Sequence, residues 1–431
     1  MKNLEGLKVA VVGMKRSGVA AAELLTRNGA VVRAVDETAC AEMDILPQTL
    51  DSFEGVDMVV LSPGVPADLA VIAEVRAKGI TVIGEVELAG YFLKGPIIGI
   101  TGSNGKTTTT SMTGHILKES GIPVQVGGNI GLAPTSMTGS SRAGQWNVLE
   151  LSSFQLETID RFHVDIGVCL NLTPDHLDRH YTVQNYAAAK GRLFANQTPN
   201  DYAVLNADDA YCVGYAAATA ARTLWFSLSH PVAPGLWLEN GTILFDGDPL
   251  IRQADVPLRG VHNIENTMAA SAAARLAGAS MEQIAGAIRT FPGVEHRLEF
   301  VRERNGVRYY NDSKATNVDA TIKALDSFDG GLWVILGGKD KNSDYTLLTE
   351  RLQRKAGGVL LIGAAASIIA AQIGSAVPLI RCGTLEAAVE LASRRASAGE
   401  TVLLSPACAS FDQFENYEHR GRVFKDLVNA L

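Results

Sequence analysis

The sequence predicts an α/β protein of three domains in tandem, on three observations. Short, continuous apolar runs of the kind that parallel strands bury on both faces alternate with helix-length segments along the chain. That alternation restarts after Leu93-Lys94-Gly95-Pro96 and again after Phe291-Pro292-Gly293, where breakers interrupt it. At 431 residues the chain is also too long for one hydrophobic core, which rarely grows beyond about 250–300 residues. The boundaries drawn from these breaks are 1–93, 94–293 and 294–431.

In the first domain Lys8-Val9-Ala10-Val11-Val12-Gly13 reads as a buried strand, Val19 to Asn28 as a helix, and Val31 to Val35 as a strand running up to Asp36. A strand at Asp57 to Leu61, a helix at Leu69 to Lys78 and a strand at Thr81 to Ile83 follow. The second domain opens on the strand Ile97 to Thr101 and continues through strands at Trp146 to Leu151, Val164 to Leu172 and Tyr202 to Leu205. Asn240-Gly241 and Asp246-Gly247 signal tight turns of an antiparallel excursion, after which His262 to Leu276 reads as an Ala-rich helix. Strands at Val307 to Tyr310, Leu332 to Leu336, Val359 to Ile362 and Thr401 to Leu404, with helices between them, make the third domain.

The 38 Lys and Arg residues against 46 Asp and Glu leave a formal charge of −8. A protein that coats DNA or RNA over a broad surface needs clustered cations, so nucleic acid is excluded as a partner and any phosphate must be met locally. Five scattered cysteines, Cys40, Cys169, Cys212, Cys382 and Cys408, form no CxxC and fit reduced thiols. The first apolar run, Val9 to Val12, is too short for the core of a signal peptide, so the protein is expected to stay in the cytoplasm. Ala356 to Ile380 has no charged residue and is long enough to cross a bilayer. Gly357, Gly358, Gly363, Gln372, Gly374 and Pro378 break it instead into strand, helix and strand, so no membrane span is expected.

The strongest local motif is Gly99-Ile100-Thr101-Gly102-Ser103-Asn104-Gly105-Lys106-Thr107-Thr108, between an apolar strand and a helix. Its glycines let backbone N–H groups converge on phosphate oxygens, Lys106 reaches the β/γ-phosphates, and Thr107 offers a Mg²⁺ ligand. It is a variant P-loop, because Ile100 stands where the first glycine of the usual pattern falls. In the first domain Gly13-Met14-Lys15-Arg16-Ser17-Gly18 and Asp36 outline a dinucleotide fingerprint whose middle glycine is replaced by Lys15. Nucleotide binding and plain strand–helix packing are equally compatible with it.

Further candidates end predicted strands, where parallel sheets present ligands. Glu150 is placed like a Walker-B carboxylate, with a surface or capping role as the alternative. His176 and His180 have i, i+4 spacing, but no HExxH or Cys cluster completes a zinc site, and a hard cation sharing phosphate oxygens fits better. Lys190, on an Ala-rich helix, reads by itself as a solvated lysine. Asn263 and Asn266 suit a base edge, with a helix N-cap equally open for Asn263.

Together Gly99 to Thr108, Gly127-Gly128-Asn129-Ile130-Gly131, Leu149 to Leu156, Asp175 to His180, Gly260 to Ala269, Glu295-His296-Arg297, Asn311 to Asn317 and Leu403 to Gly421 resemble the Mur ligases of peptidoglycan synthesis. The Ser405-to-Phe414 block points to the D-glutamate-adding branch and away from the related folylpolyglutamate synthetases. The resemblance implies a Rossmann-like UDP-binding domain, a central P-loop ATPase-like domain and a Rossmann-like C-terminal domain. It implies an ATP-dependent ligase that activates the carboxylate of UDP-MurNAc-L-Ala as an acyl phosphate, which D-glutamate attacks through a tetrahedral intermediate. ATP, two Mg²⁺ sites and a monomeric bacterial enzyme go with it.

Carried over by motif, Gly102, Asn104, Gly105, Lys106, Thr107 and Thr108 hold the ATP phosphates, Asn263 and Asn266 face adenine, Arg297 a phosphate and Asp312 the ribose. Thr107, Glu150, His176 and Lys190, the last carbamylated into a carboxylate-like bridge, hold metal. Lys15, Arg16, Ser17, Asp36, Glu37, Ser62, Pro63 and Gly64, with Asn129 and His176, meet the UDP substrate. Lys314, Thr316, Lys341, Ser410 and Tyr417 surround D-glutamate, and Lys314 also counts as catalytic beside Lys106, Glu150, His176 and Lys190. Two departures stand out. The UDP loop is unusually basic at Lys15-Arg16, and Lys339 lies close enough to Lys341 to take its place.

Overall fold

The computed structural model describes residues 4–38 and 44–431; Met1-Lys2-Asn3 and Cys40 lie outside the described residues. Three sheets organise the chain. The first has five parallel strands in the spatial order Ile45–Pro47, Val31–Asp36, Lys8–Val12, Met58–Leu61 and Thr81–Gly84. Val9, Ala10, Val11 and Val12 are fully buried, as a central strand covered on both faces requires.

The second sheet has nine strands. Its functional half runs Tyr202–Asn206, Ile166–Cys169, Ile97–Thr101, Trp146–Glu150, Val124–Gly128, all parallel, so the P-loop strand is central. The expected antiparallel excursion follows Gly235–Glu239. Asn240 and Gly241 turn with φ 49° and 72°, the doubly left-handed geometry that Asn-Gly supplies at least strain. In the third sheet Val307–Asn311, Thr401–Leu404, Leu332–Gly337, Ala356–Ile362 and Leu379–Gly383 run parallel, with Glu299–Arg304 antiparallel at the edge. That edge strand and Val124–Gly128 were not anticipated, because charged residues interrupt the first and glycines end the second.

The uncharged stretch folds as Ala356–Ile362, Ala366–Ile373 and Leu379–Gly383. Among the described residues no helix is long and apolar enough to cross a membrane. Cys169, Cys212, Cys382 and Cys408 are free thiols.

One expectation is corrected at a functional position. The first helix starts at Arg16, with Lys15 as N-cap, not at Val19. The apolar run that marked its start is preceded by a turn that is already helical. Gly18 makes this possible, since a Cβ there would lie 1.9 Å from the Gly13 carbonyl oxygen.

By contacts the chain forms two compact units, Met1–Val256 with Ile264–Phe291, and Pro257–Asn263 with Pro292–Leu431. The first unit contains the first two sheets. Two carboxylates of the helix Glu85–Gly90 bind them together. Glu85 Oε1 accepts from the Thr135 N–H and hydroxyl. Glu87, fully buried, accepts from the N–H groups of Asp160, Arg161 and Phe162 and from the Tyr91 hydroxyl. Burial pushes the Glu85 carboxyl up to about 7, with the Thr135 hydrogen bonds opposing it.

Candidate functional site

The P-loop joins Ile97–Thr101 to the helix Lys106–Glu119. Gly105 is the N-cap, with φ 87°, and a Cβ there would lie 2.1 Å from Asn266 Oδ1, so glycine is required both by conformation and by space. The loop is braced from the neighbouring strand end. Asn171 Oδ1 accepts from the Asn104 N–H at 2.9 Å, its Nδ2 donates to the Asn104 carbonyl, and its own carbonyl accepts from the Ser103 N–H. Ser103 Oγ lies 3.1 Å from the Tyr186 hydroxyl.

Two ammonium groups converge on one backbone oxygen. Lys106 Nζ donates to Gly102 O at 2.8 Å and to Ser103 O, and Lys190 Nζ donates to the same Gly102 O at 2.9 Å. Lys190 is only 1% exposed, which corrects its reading as a solvated lysine. It sits 4.6 Å from the Tyr186 ring centroid, on the inward side of the helix Val183–Gly191. Desolvation, and then the Lys106 charge, bring its amine down to about 7, so a substantial fraction is neutral at neutral pH.

Glu150 ends the strand paired with the P-loop strand and is 2% exposed, which excludes the surface alternative. Its Oε1 accepts from Asn129 Nδ2 at 2.8 Å, and the Asn129 N–H donates to the Glu150 carbonyl. Its Oε2 is buried without any hydrogen-bond partner. A buried carboxylate oxygen left in that state is costly, and a cation is the partner that would satisfy it. Thr107 is buried in the first turn of the P-loop helix.

His176 takes left-handed backbone at φ 52° and keeps a half-exposed ring, 4.8 Å from the Phe154 centroid and 6.4 Å from that of Tyr186. Tyr186 thus touches His176, Lys190 and the P-loop together. His180 is buried, with Nε2 2.9 Å from Ser153 Oγ and Nδ1 3.3 Å from Glu157, and burial lowers its pKa. Both of its ring nitrogens are engaged, so the i, i+4 spacing provides no second open ligand.

At the carboxyl edge of the first sheet lies a cavity of about 470 Å³. Lys15, Arg16, Ser17, Asp36, Glu37, Ser62, Pro63, Gly64 and Asn129 all line it, with Gln155 beside them, whereas His176 does not. Asp36 accepts from the N–H groups of Met14 and Thr38, which fixes the strand end against the loop.

Asn266 Oδ1 accepts from Thr109 Oγ1, next to the P-loop. Asn263, in the 257–263 segment of the second unit, is the third residue of its helix and donates from Nδ2 to the Arg259 carbonyl, so it is not an N-cap. Within that unit Asp312 is buried, accepting from Ser405 Oγ and the Leu298 N–H. Burial raises its carboxyl to about 7 against these bonds and the Arg297 charge. Lys314 Nζ lies 5.9 Å from the Tyr417 ring centroid, and its N–H donates to His296 O. Lys339 and Ala409 exchange both backbone hydrogen bonds, which sets Lys339 beside Ser410; Lys341 is exposed, two residues farther on. Thr316 lies on the Lys314 loop, just before the helix Val318–Asp326.

Arg420 was missed by sequence reasoning. Fully buried, it donates to Ser313 Oγ and to the carbonyls of Ser313 and Cys408, tying the Lys314 loop to the Ser410 loop. Asn171 and Tyr186 were missed too. Asn171 had a faint signal, an amide directly after an apolar strand; an Arg in a surface-like helix sequence had none.

The Mur ligase middle domain matches residues 100–274, and the Mur ligase glutamate ligase domain matches residues 296–408. Curated relatives named UDP-N-acetylmuramoylalanine–D-glutamate ligase include that of Solibacter usitatus, 59% identical over 99% of both chains. That of Acidobacterium capsulatum is 51% identical over 99% of this chain and 97% of its own. Among solved structures, MurF ligase from Thermotoga maritima in complex with ADP superposes with a TM-score of 0.63 at 18% identity, covering 100% of this chain and 97% of its own. UDP-N-acetylmuramate-alanine ligase MurC from the same organism gives 0.63 at 18%, covering 98% and 99%.

Proposed function

The chain belongs to the Mur ligase family, and from that premise we propose that it joins D-glutamate to UDP-N-acetylmuramoyl-L-alanine at the cost of one ATP. A carboxylate is a poor acyl donor until one oxygen becomes a leaving group. Its oxygen therefore attacks the γ-phosphorus, ADP departs, and an acyl phosphate results. The D-glutamate amine adds to the acyl carbon, giving a tetrahedral centre; the amine loses a proton, phosphate leaves, and the amide remains.

The observation that carries this reading is the P-loop nest with two lysines on Gly102 O beside a strand ending in Glu150, whose Oε2 has no protein partner. Lys106 turns from its own loop carbonyls to the β/γ-phosphates, which are the better acceptors. Glu150, Thr107, His176 and a carbamate on Lys190 would hold Mg²⁺. When bound, Mg²⁺ supplies charge neutralisation where two anions must meet. The lowered pKa of Lys190 supports carbamylation, because only the neutral amine reacts with CO₂.

On the same reading the first-sheet cavity takes the UDP moiety, with Lys15, Arg16 and the helix N-terminus for the diphosphate and Asp36 and Glu37 toward the uridine. Asn129 reaches the acyl region from its place beside Glu150. Asn263, Asn266, Arg297 and Asp312 serve the nucleoside and phosphates of ATP. Lys314, Thr316, Ser410, Tyr417 and either Lys339 or Lys341 receive D-glutamate. Three domains at 1–93, 94–293 and 294–431, a monomer and a cytoplasmic location complete the proposal.

The test is ADP release measured with UDP-MurNAc-L-Ala and each of D-glutamate, L-alanine, L-lysine and meso-diaminopimelate. Release dependent on both UDP-MurNAc-L-Ala and D-glutamate is expected. Turnover with another amino acid and not with D-glutamate would overturn the assignment.

A further inference from the structure

Arg179 lies three residues past His176 and joins segments 114 residues apart in sequence. Its Nη2 donates to the Val65 carbonyl at 3.0 Å and to Glu157 Oε2 at 2.7 Å, and its Nε donates to Glu157 Oε1. The guanidinium stands 5.1 Å from the Phe154 ring centroid, and the same ring packs against His176. Arg179 is largely buried, its side chain 13% exposed, so these contacts are screened little by solvent.

At one end of this tie is a cavity wall. Val65 lines the first-sheet cavity, and its N–H donates to Ser62 O. At the other end is a turn closed by its own backbone hydrogen bonds but strained at both ends. His176 and Tyr181 bracket the helical turn Leu177–His180, and both have left-handed backbone, at φ 52° and 65°, which side chains disfavour. Side-chain bonds to neighbouring segments add to those backbone bonds and fix where the turn sits. Arg179 bonds to Glu157 and Val65, His180 to Ser153, and the Tyr181 hydroxyl to Asp68. Two of these anchors, Val65 and Asp68, belong to the cavity side.

We infer that Arg179 is a positioning residue that couples the wall of the first-sheet cavity to the His176 turn. A ligand seated against Ser62 to Val65 and a divalent cation at His176 then favour the same arrangement of the turn, and each tightens the binding of the other. Only a planar fork reaches a carboxylate through two nitrogens and a carbonyl at once, so lysine does not replace it. The inference rests on reading the cavity as the UDP-substrate site and His176 as a cation ligand.

The experiment measures the affinity of UDP-MurNAc-L-Ala by calorimetry with and without Mn²⁺, and Mn²⁺ binding by electron paramagnetic resonance with and without UDP-MurNAc-L-Ala. It uses the wild type, Arg179→Lys and Arg179→Ala, at a temperature where circular dichroism shows all three folded. The wild type is expected to show reciprocal coupling of about fivefold or more. In Arg179→Lys, which keeps the charge and the packing stem, coupling is expected to fall below about twofold while each ligand still binds alone. Wild-type coupling retained in both variants, or absent from the wild type although both ligands bind, overturns the inference. If the wild type does not bind UDP-MurNAc-L-Ala and releases no ADP with it, the functional reading itself has failed.

Discussion

Replacing Lys190 with Met removes an ionisable group that the fold holds far from its ordinary state, while keeping an unbranched side chain of similar length. The amine falls from 10.5 to about 7 because burial strips its hydration and Lys106 adds a like charge. Folding therefore disfavours the protonated form. Below about pH 7 both the folded and unfolded chains bind this proton, so the penalty is full and flat. Between about pH 7 and 10.5 the unfolded chain still binds the proton and the folded one does not, so stability rises with pH. Linkage with these two values gives a gain of about 1.6 kcal/mol between pH 7 and 8.5. The assay is urea unfolding of the wild type and Lys190→Met across that range, in CO₂-free buffer so that no carbamate forms. The difference between the two proteins should change by that amount, with the wild type gaining as pH rises, and it should level off toward pH 6. A difference independent of pH would refute the claim that Lys190 is desolvated, and with it the argument that its amine is poised for CO₂.

Other consequences are equally direct. Glu150→Gln removes a buried charge whose Oε2 has no protein partner, so stability by urea titration without added metal should not fall and should rise by about 1–3 kcal/mol. ADP release should nevertheless fall at least about a hundredfold if that oxygen holds the cation. Glu87→Gln replaces an acceptor of three backbone N–H groups with one that must turn an amide away from them. Unfolding free energy should drop by about 2–4 kcal/mol; no loss would show that this carboxylate does not join the first two sheets. Gly18→Ala forces the first strand and helix apart, since its Cβ would overlap the Gly13 carbonyl. A stability loss of about 1–3 kcal/mol is expected, with weaker UDP-MurNAc-L-Ala binding by calorimetry, and normal binding would exclude this loop from the site.

Elements whose signals are contiguous were legible. The P-loop needed only strand, glycines and helix in order, and the Asn240-Gly241 hairpin only the two residues that tolerate left-handed backbone. The Arg16 helix start was missed because the apolar periodicity begins later than the helical hydrogen bonds, which Gly18 allows by lying against Gly13. Lys190 was misread without the family resemblance. Its Ala-rich surroundings look solvated, and the groups that bury it, Tyr186 aside, come from the distant P-loop. Arg420 was invisible because its acceptors, the Ser313 hydroxyl and backbone carbonyls, lie more than 100 residues away and on a preceding loop.

The sequence by itself determined the α/β class, the phosphate nest and the motifs that place the chain among the Mur ligases. These depend on local backbone preferences and on residue types in a fixed order. Tertiary structure alone decided which groups lose their water and which lose their partners: the neutral tendency of Lys190, the unpartnered oxygen of Glu150, and the span of Arg179 from Glu157 to Val65. Desolvation and hydrogen-bond satisfaction are set by what packs against a group in space, and no periodicity in the chain records that.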